Sequence, residues 1–341
     1  MTRGRRLRIG AAMLGALVGA AAATGCGSGG DPNSIVLYSG QHPQLTDALV
    51  RSFEKQTGIN VKVRTNDGVV LADQLLQEGP ASPADVYFTE NSPELETLAQ
   101  HGLLAKLPAS TLQQVPHSDA PPSGTWAPVA LRVSGLAYSP KLIAKSSLPQ
   151  SVLDLAQPAW KGKIAIAPTD SDFPPVLGAV LAQYGPAAAK QWLAGLKHNA
   201  QVFQTDEAVV AAVNSGRVAT GVINHYYWYR LRTEVGPGAM HSAVYFFPDH
   251  NVGSVENVSG VAVLKTSQHP QWADRFADFL VSATGQRIIG QGDDFEYPAR
   301  PGVSANPQLP PLSSLAPATL GVVKLGNDQA AAKLIQESGL A

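Results

Sequence analysis

Two adjacent tyrosines, Tyr226 and Tyr227, end an apolar run in the segment Ile223-Asn224-His225-Tyr226-Tyr227-Trp228. A phenolate oxygen is a hard anionic donor, and a hard trivalent cation lowers the pKa of a phenol from about 10 by binding its oxygen directly. Two such donors side by side therefore suit the coordination of ferric iron. The same residues are also compatible with an aromatic strand end packed into a core, and the pair alone does not decide between the two interpretations.

Two further candidate ligands follow strands in the first third of the chain. His42 follows the first predicted strand and Glu90 follows the third. The strands are predicted at 35–38, 60–63 and 84–88, and the helices at 44–56, 70–77 and 93–101. This alternation is typical of a parallel sheet with helices on its faces. Because such sheets bind ligands at the carboxyl ends of their strands, His42 and Glu90 are predicted to lie on one rim.

A second α/β unit follows a long strand predicted at 129–138, which carries Arg132. Its strands are predicted at 163–167, 201–204 and 220–224, and its helices at 175–184, 186–196 and 208–215. The chain is predicted to return to the first lobe at 258–264 and to continue into a helix at 272–285. Two lobes joined by crossing strands enclose a cleft, which is the geometry of a hinge-closing binding protein. Arg132 on the hinge strand can offset carboxylate charge there.

The N-terminus has the pattern of a lipoprotein export signal. Four arginines precede a short apolar stretch at 9–23, and small residues lead to Cys26, the one cysteine of the chain. The stretch is too short for a comfortable transmembrane helix, although Ala23 stands where such signals usually have Leu. We therefore predict lipid attachment at Cys26, on the outer face of the cytoplasmic membrane or the periplasmic side. Disulfides and cysteine-ligated metals are excluded.

The 341 residues carry a formal net charge of -1 and no basic run beyond the signal, so nucleic acid is not an expected partner. We expect the chain to be a monomer. The chain shows no G-x-S-x-G elbow, no H-E-x-x-H and no glycine-rich phosphate loop, and we do not expect an enzyme. The fold class predicted is α/β with two lobes. The predicted domains are a signal at 1–25, a tether at 26–33, an N-lobe at 34–133 plus about 256–305, and a C-lobe at about 134–255 plus 306–341.

Several motifs, in order, resemble one known family. They are Tyr38-Ser39-Gly40-Gln41-His42, Ser82-Pro83-Ala84-Asp85-Val86-Tyr87-Phe88-Thr89-Glu90, Pro108-Ala109-Ser110-Thr111, Ala167-Pro168-Thr169, the tyrosine segment, Gly285-Gln286-Arg287 and Glu296-Tyr297-Pro298. From about residue 35 to 303 the chain resembles the ferric-ion-binding proteins of ABC iron importers, which have the type II periplasmic-binding-protein fold. The resemblance implies a mixed, mainly parallel sheet in each lobe, Fe(III) as cargo, and an ABC permease with its ATPase as partners.

The resemblance also implies roles for individual residues. His42 occupies the histidine position, Glu90 the carboxylate position, and Tyr226 and Tyr227 the positions of the paired phenolates. Two phenolates and a carboxylate neutralise three positive charges, and one imidazole is an acceptable fourth donor. His225 stands where the family often has Asn, which implies that it orients a phenolate by a hydrogen bond.

The chain departs from the family at the anion site. Phosphate-assisted members hold a synergistic anion with a Ser-Gly-Ala turn and an Asn, whereas here the turn is Asp170-Ser171-Asp172 and the other position is Asp206. Asn224 alone keeps the familiar donor, which puts a synergistic anion in doubt. Either water or an aspartate completes the metal sphere, or the aspartates are helix N-caps.

Other functions share the fold and stay open at this point. Polyamine, thiamine, sulfate and phosphonate receptors are alternatives, although a polyamine receptor would need a line of carboxylates with aromatic walls. Phosphonate or phosphate would be repelled by the three aspartates. A surface-anchored hydrolase using His42 with an acidic partner is the alternative from another class. The sequence does not decide between free Fe(III), a chelate and Fe(II).

Overall fold

The computed structural model describes residues 33–116, 119–327 and 329–341, without the side chain of Val323. The predicted signal at 1–25, the lipid site at Cys26 and the tether up to residue 32 lie outside these residues. Within the described ranges, no helix combines the length and the apolar character needed to cross a membrane.

The strands and helices alternate along most of the chain. The strands are β1 Ser34–Gly40, β2 Asn60–Thr65, β3 Val86–Thr89, β4 Trp126–Tyr138, β5 Ile164–Ile166, β6 Ala200–Val202, β7 Thr220–Asn224, β8 Ala243–Tyr245, β9 Glu256–Val263 and β10 Tyr297–Pro298. The helices are α1 Pro43–Thr57, α2 Gly68–Glu78, α3 Ser92–Gln100, α4 Ala109–Leu112, α5 Phe173–Asn199, α6 Asp206–Asn214, α7 His225–Val235, α8 Pro270–Val281, α9 Ala283–Gln291, α10 Val322–Leu325 and α11 Gln329–Ser338.

The strands of the described ranges form one path in the order β2-β1-β3-β9-β4-β7-β5-β6, with β8 and β10 also paired to β4. β1 pairs in parallel with β2 and β3, and β5 pairs in parallel with β6 and β7. β9 and β4 run antiparallel to their neighbours and join the two parallel groups. The predicted fold class, two α/β lobes joined by crossing strands, is thereby confirmed.

Strand β4, a buried strand of 13 residues, connects the two groups of parallel strands. Its residues 126–133 pair with β9, and residues 134–138 pair with β7. The change of partner occurs between Val133 and Ser134. The lobe boundaries proposed from the sequence, 34–133 plus about 256–305 and about 134–255 plus 306–341, stay a prediction.

Two predicted helical regions contain breaks that the sequence explains. The helices predicted at 175–184 and 186–196 are confirmed as two parts of α5, which kinks at Gly185 with φ of 81°. The single helix predicted at 272–285 is wrong, because Ser282 is extended and separates α8 from α9. The Ser282 hydroxyl accepts a hydrogen bond from the backbone N–H of Gly285 and so caps α9.

Candidate metal centre

His42 and Glu90 meet at the carboxyl ends of neighbouring parallel strands. His42 follows β1 as the residue before α1, where Pro43 occupies the first helical turn, and Glu90 follows β3. Both residues are buried. Nε2 of His42 lies 3.1 Å from Oε1 of Glu90, so these two candidate ligands contact each other directly.

The paired tyrosines lie in the first turn of helix α7, which begins directly after β7. Tyr226 is fully buried and Tyr227 is 6% exposed, and their ring centroids lie 4.2 Å apart. The Tyr226 ring packs edge-on against His42 at 4.9 Å, and its hydroxyl lies 3.3 Å from Oε2 of Glu90. Tyr227 lines a cavity of about 370 Å³ together with His42 and Glu90. The four residues that the sequence singled out therefore lie together.

Arg132 lies at the centre of this cluster and is fully buried. Its guanidinium donates to Oε2 of Glu90 at 2.8 Å and to Oε1 of Glu296 at 2.5 Å, and it lies 3.5 Å from Oδ1 of Asp172. Its Cζ also lies 5.2 Å from the ring centroid of Tyr226. A buried cation needs such partners, since an unpaired one costs several kcal/mol or more. The predicted role of Arg132 in offsetting carboxylate charge therefore agrees with these contacts.

Three aspartates form an acidic group beside the tyrosines. Carboxylate oxygens of Asp170, Asp172 and Asp206 all lie within 4.8 Å of one another. Asp170 accepts hydrogen bonds from the backbone N–H groups of Asp172 and Asp206, and Asp206 accepts one from the backbone of Asn224. Asp172 stands at the N-cap position of α5 without capping it, and instead accepts a 2.5 Å hydrogen bond from the Tyr226 hydroxyl. The aspartates are therefore not the N-caps of these helices, since α5 has no side-chain cap and the side chain of Thr205 caps α6 by accepting from the backbone N–H of Ala208.

The remaining predicted residues have backbone partners. The carbonyl of Ser171 accepts from the side chain of Asn91 at 3.3 Å. His225 accepts from the backbone N–H of Val133 through Nδ1, and its Nε2 donates to the carbonyl of Phe295 at 2.8 Å. With both ring nitrogens engaged, His225 has none left for a phenolate. The predicted hydrogen bond from His225 to a phenolate is therefore wrong.

Burial controls the proton affinities of the cluster. It raises the pKa of Tyr226, of Tyr227 and of Glu90 well above their ordinary values, and the charge of Asp172 adds to the rise for both phenols. Burial lowers the pKa of His42, with further contributions from Arg230 and Arg132. Without a metal ion, the phenols therefore hold their protons at neutral pH and His42 is uncharged.

The acidic residues around the cluster show the same effect. Burial and then the charge of Asp172 raise the pKa of Asp170 to about 7. Burial raises the pKa of Glu296 to about 7 in spite of the attraction of Arg132, and it raises the pKa of Asp294 to about 6. The site therefore has more acidic oxygen than its own cations can neutralise, and an added cation would relieve that excess.

Sequence reasoning missed Asp294 and Glu296. Glu296 is fully buried, bound to Arg132 and 3.3 Å from Nε2 of Gln41, and Asp294 lies 3.7 Å from Nδ1 of His42. The motif Glu296-Tyr297-Pro298 carries part of the family resemblance, but no local pattern assigns a role to its first residue. Their proximity to His42 depends on a return of the chain from more than 250 residues away, which the sequence does not reveal.

Comparisons with known proteins agree on one class. Residues 35–292 match the family described as bacterial extracellular solute-binding protein. The Fe(3+)-binding periplasmic protein of Serratia marcescens is 37% identical over 306 residues, which cover 90% of each chain. The major ferric iron-binding protein of Neisseria meningitidis is 33% identical over 308 residues, covering 90% of this chain and 93% of the relative.

A solved structure is similar at the level of the whole fold. Iron-bound HitA from Pseudomonas aeruginosa superposes with a TM-score of 0.86 at 39% identity, covering 90% of this chain and all of the other. The similarity thus extends well beyond the residues of the cluster.

Proposed function

The chain belongs to the family of bacterial extracellular solute-binding proteins, and from this premise we propose that it captures ferric iron and delivers it to an ABC importer. The observation that carries the proposal is the convergence of Tyr226 and Tyr227 with His42 and Glu90 in one buried cluster. Relatives whose names state ferric iron binding support the choice of cargo.

The donor set suits a hard trivalent cation. Two phenolates and the Glu90 carboxylate supply three negative charges, and His42 supplies a neutral nitrogen. Removal of both phenol protons is unfavourable without a metal, because burial raises the pKa of each phenol. The incoming cation replaces these protons at the same oxygens, so binding of Fe(III) and loss of protons are coupled.

Asp172 is the best candidate for a fifth ligand. Its Oδ2 already contacts the Tyr226 oxygen, and its Oδ1 is buried without a hydrogen-bond partner among the described residues. Four anionic ligands would then be balanced by Fe(III) together with the adjacent Arg132. Asp170 and Asp206 differ, because each binds backbone N–H groups. No external anion is needed in this arrangement.

Capture and delivery of iron depend on the fact that the proposed ligands belong to both predicted lobes. His42 and Glu90 belong to the predicted N-lobe, and the tyrosines belong to the predicted C-lobe. An ion held by both groups stabilises the closed arrangement over an open one by its differential affinity. A permease and its ATPase can recognise the closed form, and opening of the lobes on the permease releases the iron.

Attachment to the membrane is a separate part of the proposal. Cys26 follows small residues after a basic and apolar N-terminus, which supports export and lipid attachment on the outer face of the cytoplasmic membrane. A Cys26→Ser variant should move from the membrane fraction to the soluble fraction, and mass spectrometry should detect the lipid on the wild-type protein alone.

The decisive experiment is ferric loading of the protein without residues 1–26. Iron supplied from a weak chelate should give a broad visible phenolate-to-iron charge-transfer band, and a strong iron chelator should remove it. A colourless protein that returns all iron to the weak chelate would reject the function. Delivery is then measured as uptake of labelled iron by vesicles that contain the permease and ATPase.

A further inference from the structure

The two ring nitrogens of His42 have very different surroundings. Nε2 lies 3.1 Å from Oε1 of Glu90, whereas Nδ1 is buried and has no hydrogen-bond partner among the described residues. Two carboxylate oxygens lie just beyond hydrogen-bond range of Nδ1, namely Oδ1 of Asp294 at 3.7 Å and Oε1 of Glu296 at 3.8 Å. A buried nitrogen facing two acceptors without bonding either needs an explanation.

The 3.1 Å approach of Glu90 Oε1 favours the tautomer of the neutral ring that carries its proton on Nε2. Because Nε2 faces the other candidate ligands, it is the nitrogen that would bind a ferric ion, and its lone pair must then be free. The neutral ring meets this requirement by tautomerisation, in which Nε2 loses a proton and Nδ1 gains one, with no change in charge. Nδ1 becomes an N–H donor and requires an acceptor.

Of the two carboxylates near Nδ1, Glu296 is already engaged. Its Oε1 binds Arg132 at 2.5 Å, and its Oε2 accepts from Gln41 at 3.3 Å. The side chain of Asp294 has no ion pair with Arg or Lys in the described parts of the chain. Asp294 is therefore the acceptor that can turn to His42 without giving up another partner.

The backbone between the two carboxylates holds them beside the same ring. Phe295 has a φ of 57°, a left-handed conformation that is uncommon for a bulky residue and that concentrates at functional sites. Its carbonyl is held by Nε2 of His225 at 2.8 Å, and its ring packs against Tyr229 at 5.5 Å. His225 therefore supports the backbone at Phe295, which gives this buried ring a structural role although it does not contact a phenol hydroxyl.

We propose that Asp294 is a positioning residue for iron capture, which accepts a hydrogen bond from Nδ1–H of His42 when Nε2 binds the ferric ion. This inference deepens the proposed function and rests on it. The two atoms need to approach by about 0.8 Å to reach ordinary hydrogen-bond length. Glu90 and Asp294 then exchange roles. Before loading, the ring proton is on Nε2 and faces Glu90. After loading, the ring proton is on Nδ1 and is donated in a hydrogen bond to Asp294.

The test compares release of ferric ion to an excess of strong chelator, followed by the decay of the charge-transfer band. Asp294→Ala should release iron about tenfold faster than wild type, as expected for loss of a carboxylate behind a ligating histidine. Asp294→Asn removes the charge but keeps an oxygen acceptor, so its rate should stay close to wild type. Asp293→Ala is the matched control, because this exposed neighbour removes one charge at nearly the same place.

Two further measurements separate positioning from a general structural effect. In a His42→Ala background, Asp294→Ala should add no further acceleration, since it acts through the missing ring. Imidazole ¹⁵N spectra should show His42 protonated on Nε2 in the metal-free protein and on Nδ1 after loading with Ga(III), a diamagnetic trivalent probe. The His42 signals are assigned by their absence in the His42→Ala variant.

The outcomes distinguish the inference from the function on which it rests. Equal release rates for Asp294→Ala and Asp293→Ala overturn the inference, as does a tenfold acceleration in the His42→Ala background. An Asp294→Asn variant as fast as Asp294→Ala also overturns it, because charge alone would then be responsible. A wild-type protein that binds no ferric ion rejects the proposed function itself, and the inference with it.

Discussion

The hydroxyl of Tyr226 lies 2.5 Å from Oδ2 of Asp172, and 3.3 Å from Oε2 of Glu90. Two carboxylates from distant parts of the sequence therefore converge on one phenol proton. Both carboxylates favour retention of that proton, because their charges raise the pKa of the phenol beyond the effect of burial. A trivalent cation that replaces this proton would bind all three oxygens and offset the repulsion between their negative charges.

The first prediction concerns the two phenols. Tyr226→Phe and Tyr227→Phe should each keep the fold, since ring packing survives, and should each weaken ferric binding at least a hundredfold, because loss of one anionic ligand is worth several kcal/mol of coordination. In each variant the charge-transfer band should either shift or disappear. Competition with a calibrated chelator gives the affinities.

The control for this prediction is Tyr184→Phe, a change of the same chemistry at a half-exposed residue outside the cluster. His42→Ala and Glu90→Ala should cost less than either tyrosine variant, because water can replace these ligands. Undiminished ferric binding in both tyrosine variants would remove the phenolates from the site.

The ligand cluster could be predicted from the sequence because residues of metal-binding types stand directly after predicted strands. His42 and Glu90 follow neighbouring parallel strands, so the strand order by itself predicts that they lie on one rim of the sheet. The tyrosines are recognisable by residue type, although they lie in the first turn of helix α7 rather than at the end of a strand. The order of the family motifs then implies that both tyrosines join His42 and Glu90.

The parts that could not be predicted depend on contacts between distant segments. The sequence predicts Arg132 on the hinge strand, but its ion pair with Glu296 joins residues 164 positions apart and has no local signal. The family resemblance implies a phenolate partner for His225, but both of its ring nitrogens are already engaged with backbone groups. Its ring reaches Val133 and Phe295 instead.

The second prediction concerns protons released by iron. Burial keeps both phenols protonated in the metal-free protein at neutral pH, because it raises their pKa values. Loading should therefore release about two protons per ferric ion, and affinity should rise with pH and fall as pH drops. Glu90, whose pKa burial also raises, adds a further proton at lower pH and steepens the fall.

Proton release is measured by titration at constant pH while iron is added from a weak chelate. Tyr227→Phe should release about one proton fewer than wild type. Release that is independent of both phenols would show that iron binds elsewhere.

The third prediction concerns the stability of the metal-free protein. Burial raises the pKa of Glu256, at the start of β9, from 4.5 to about 7, and the charge of Asp119 adds to the rise. Between these values the folded state binds more protons than the unfolded state, so stability falls as pH rises from about 4.5 to about 7. After a discount for partial exposure, Glu256→Gln should stabilise the protein by about 1 to 2 kcal/mol at pH 8 and hardly at all at pH 4.

Urea unfolding at the two pH values measures this difference. Glu234→Gln is the control, because it makes the same change at an exposed position of α7. The same gain in stability at both pH values would contradict the assignment, since the raised pKa predicts a gain only where the wild-type carboxyl is ionised.

The last prediction concerns the anion. Phosphate bound beside iron would meet the carboxylate of Asp172 and, at and above about pH 7 where it ionises, that of Asp170, a repulsion of about 1 to 4 kcal/mol for each close pair of charges. The N-terminus of a helix would stabilise the bound phosphate by only about 0.3 to 1 kcal/mol. Ferric binding should therefore hardly respond to phosphate or carbonate, and phosphate should leave the charge-transfer maximum of the iron-loaded protein in place.

An Asp172→Ala variant tests the physical reason for this independence. If the Asp172 carboxylate occupies the place of an external anion, its removal should weaken ferric binding and create a requirement that added phosphate or acetate satisfies. Asp170→Asn should show no such requirement, because the oxygen of Asp170 serves the backbone N–H groups of Asp172 and Asp206 rather than the metal. A clear spectral shift with a large gain in affinity when phosphate is added to the wild-type protein would show instead that Ser171, Asn224 and backbone N–H groups form an anion pocket, with the three carboxylates turned away from it.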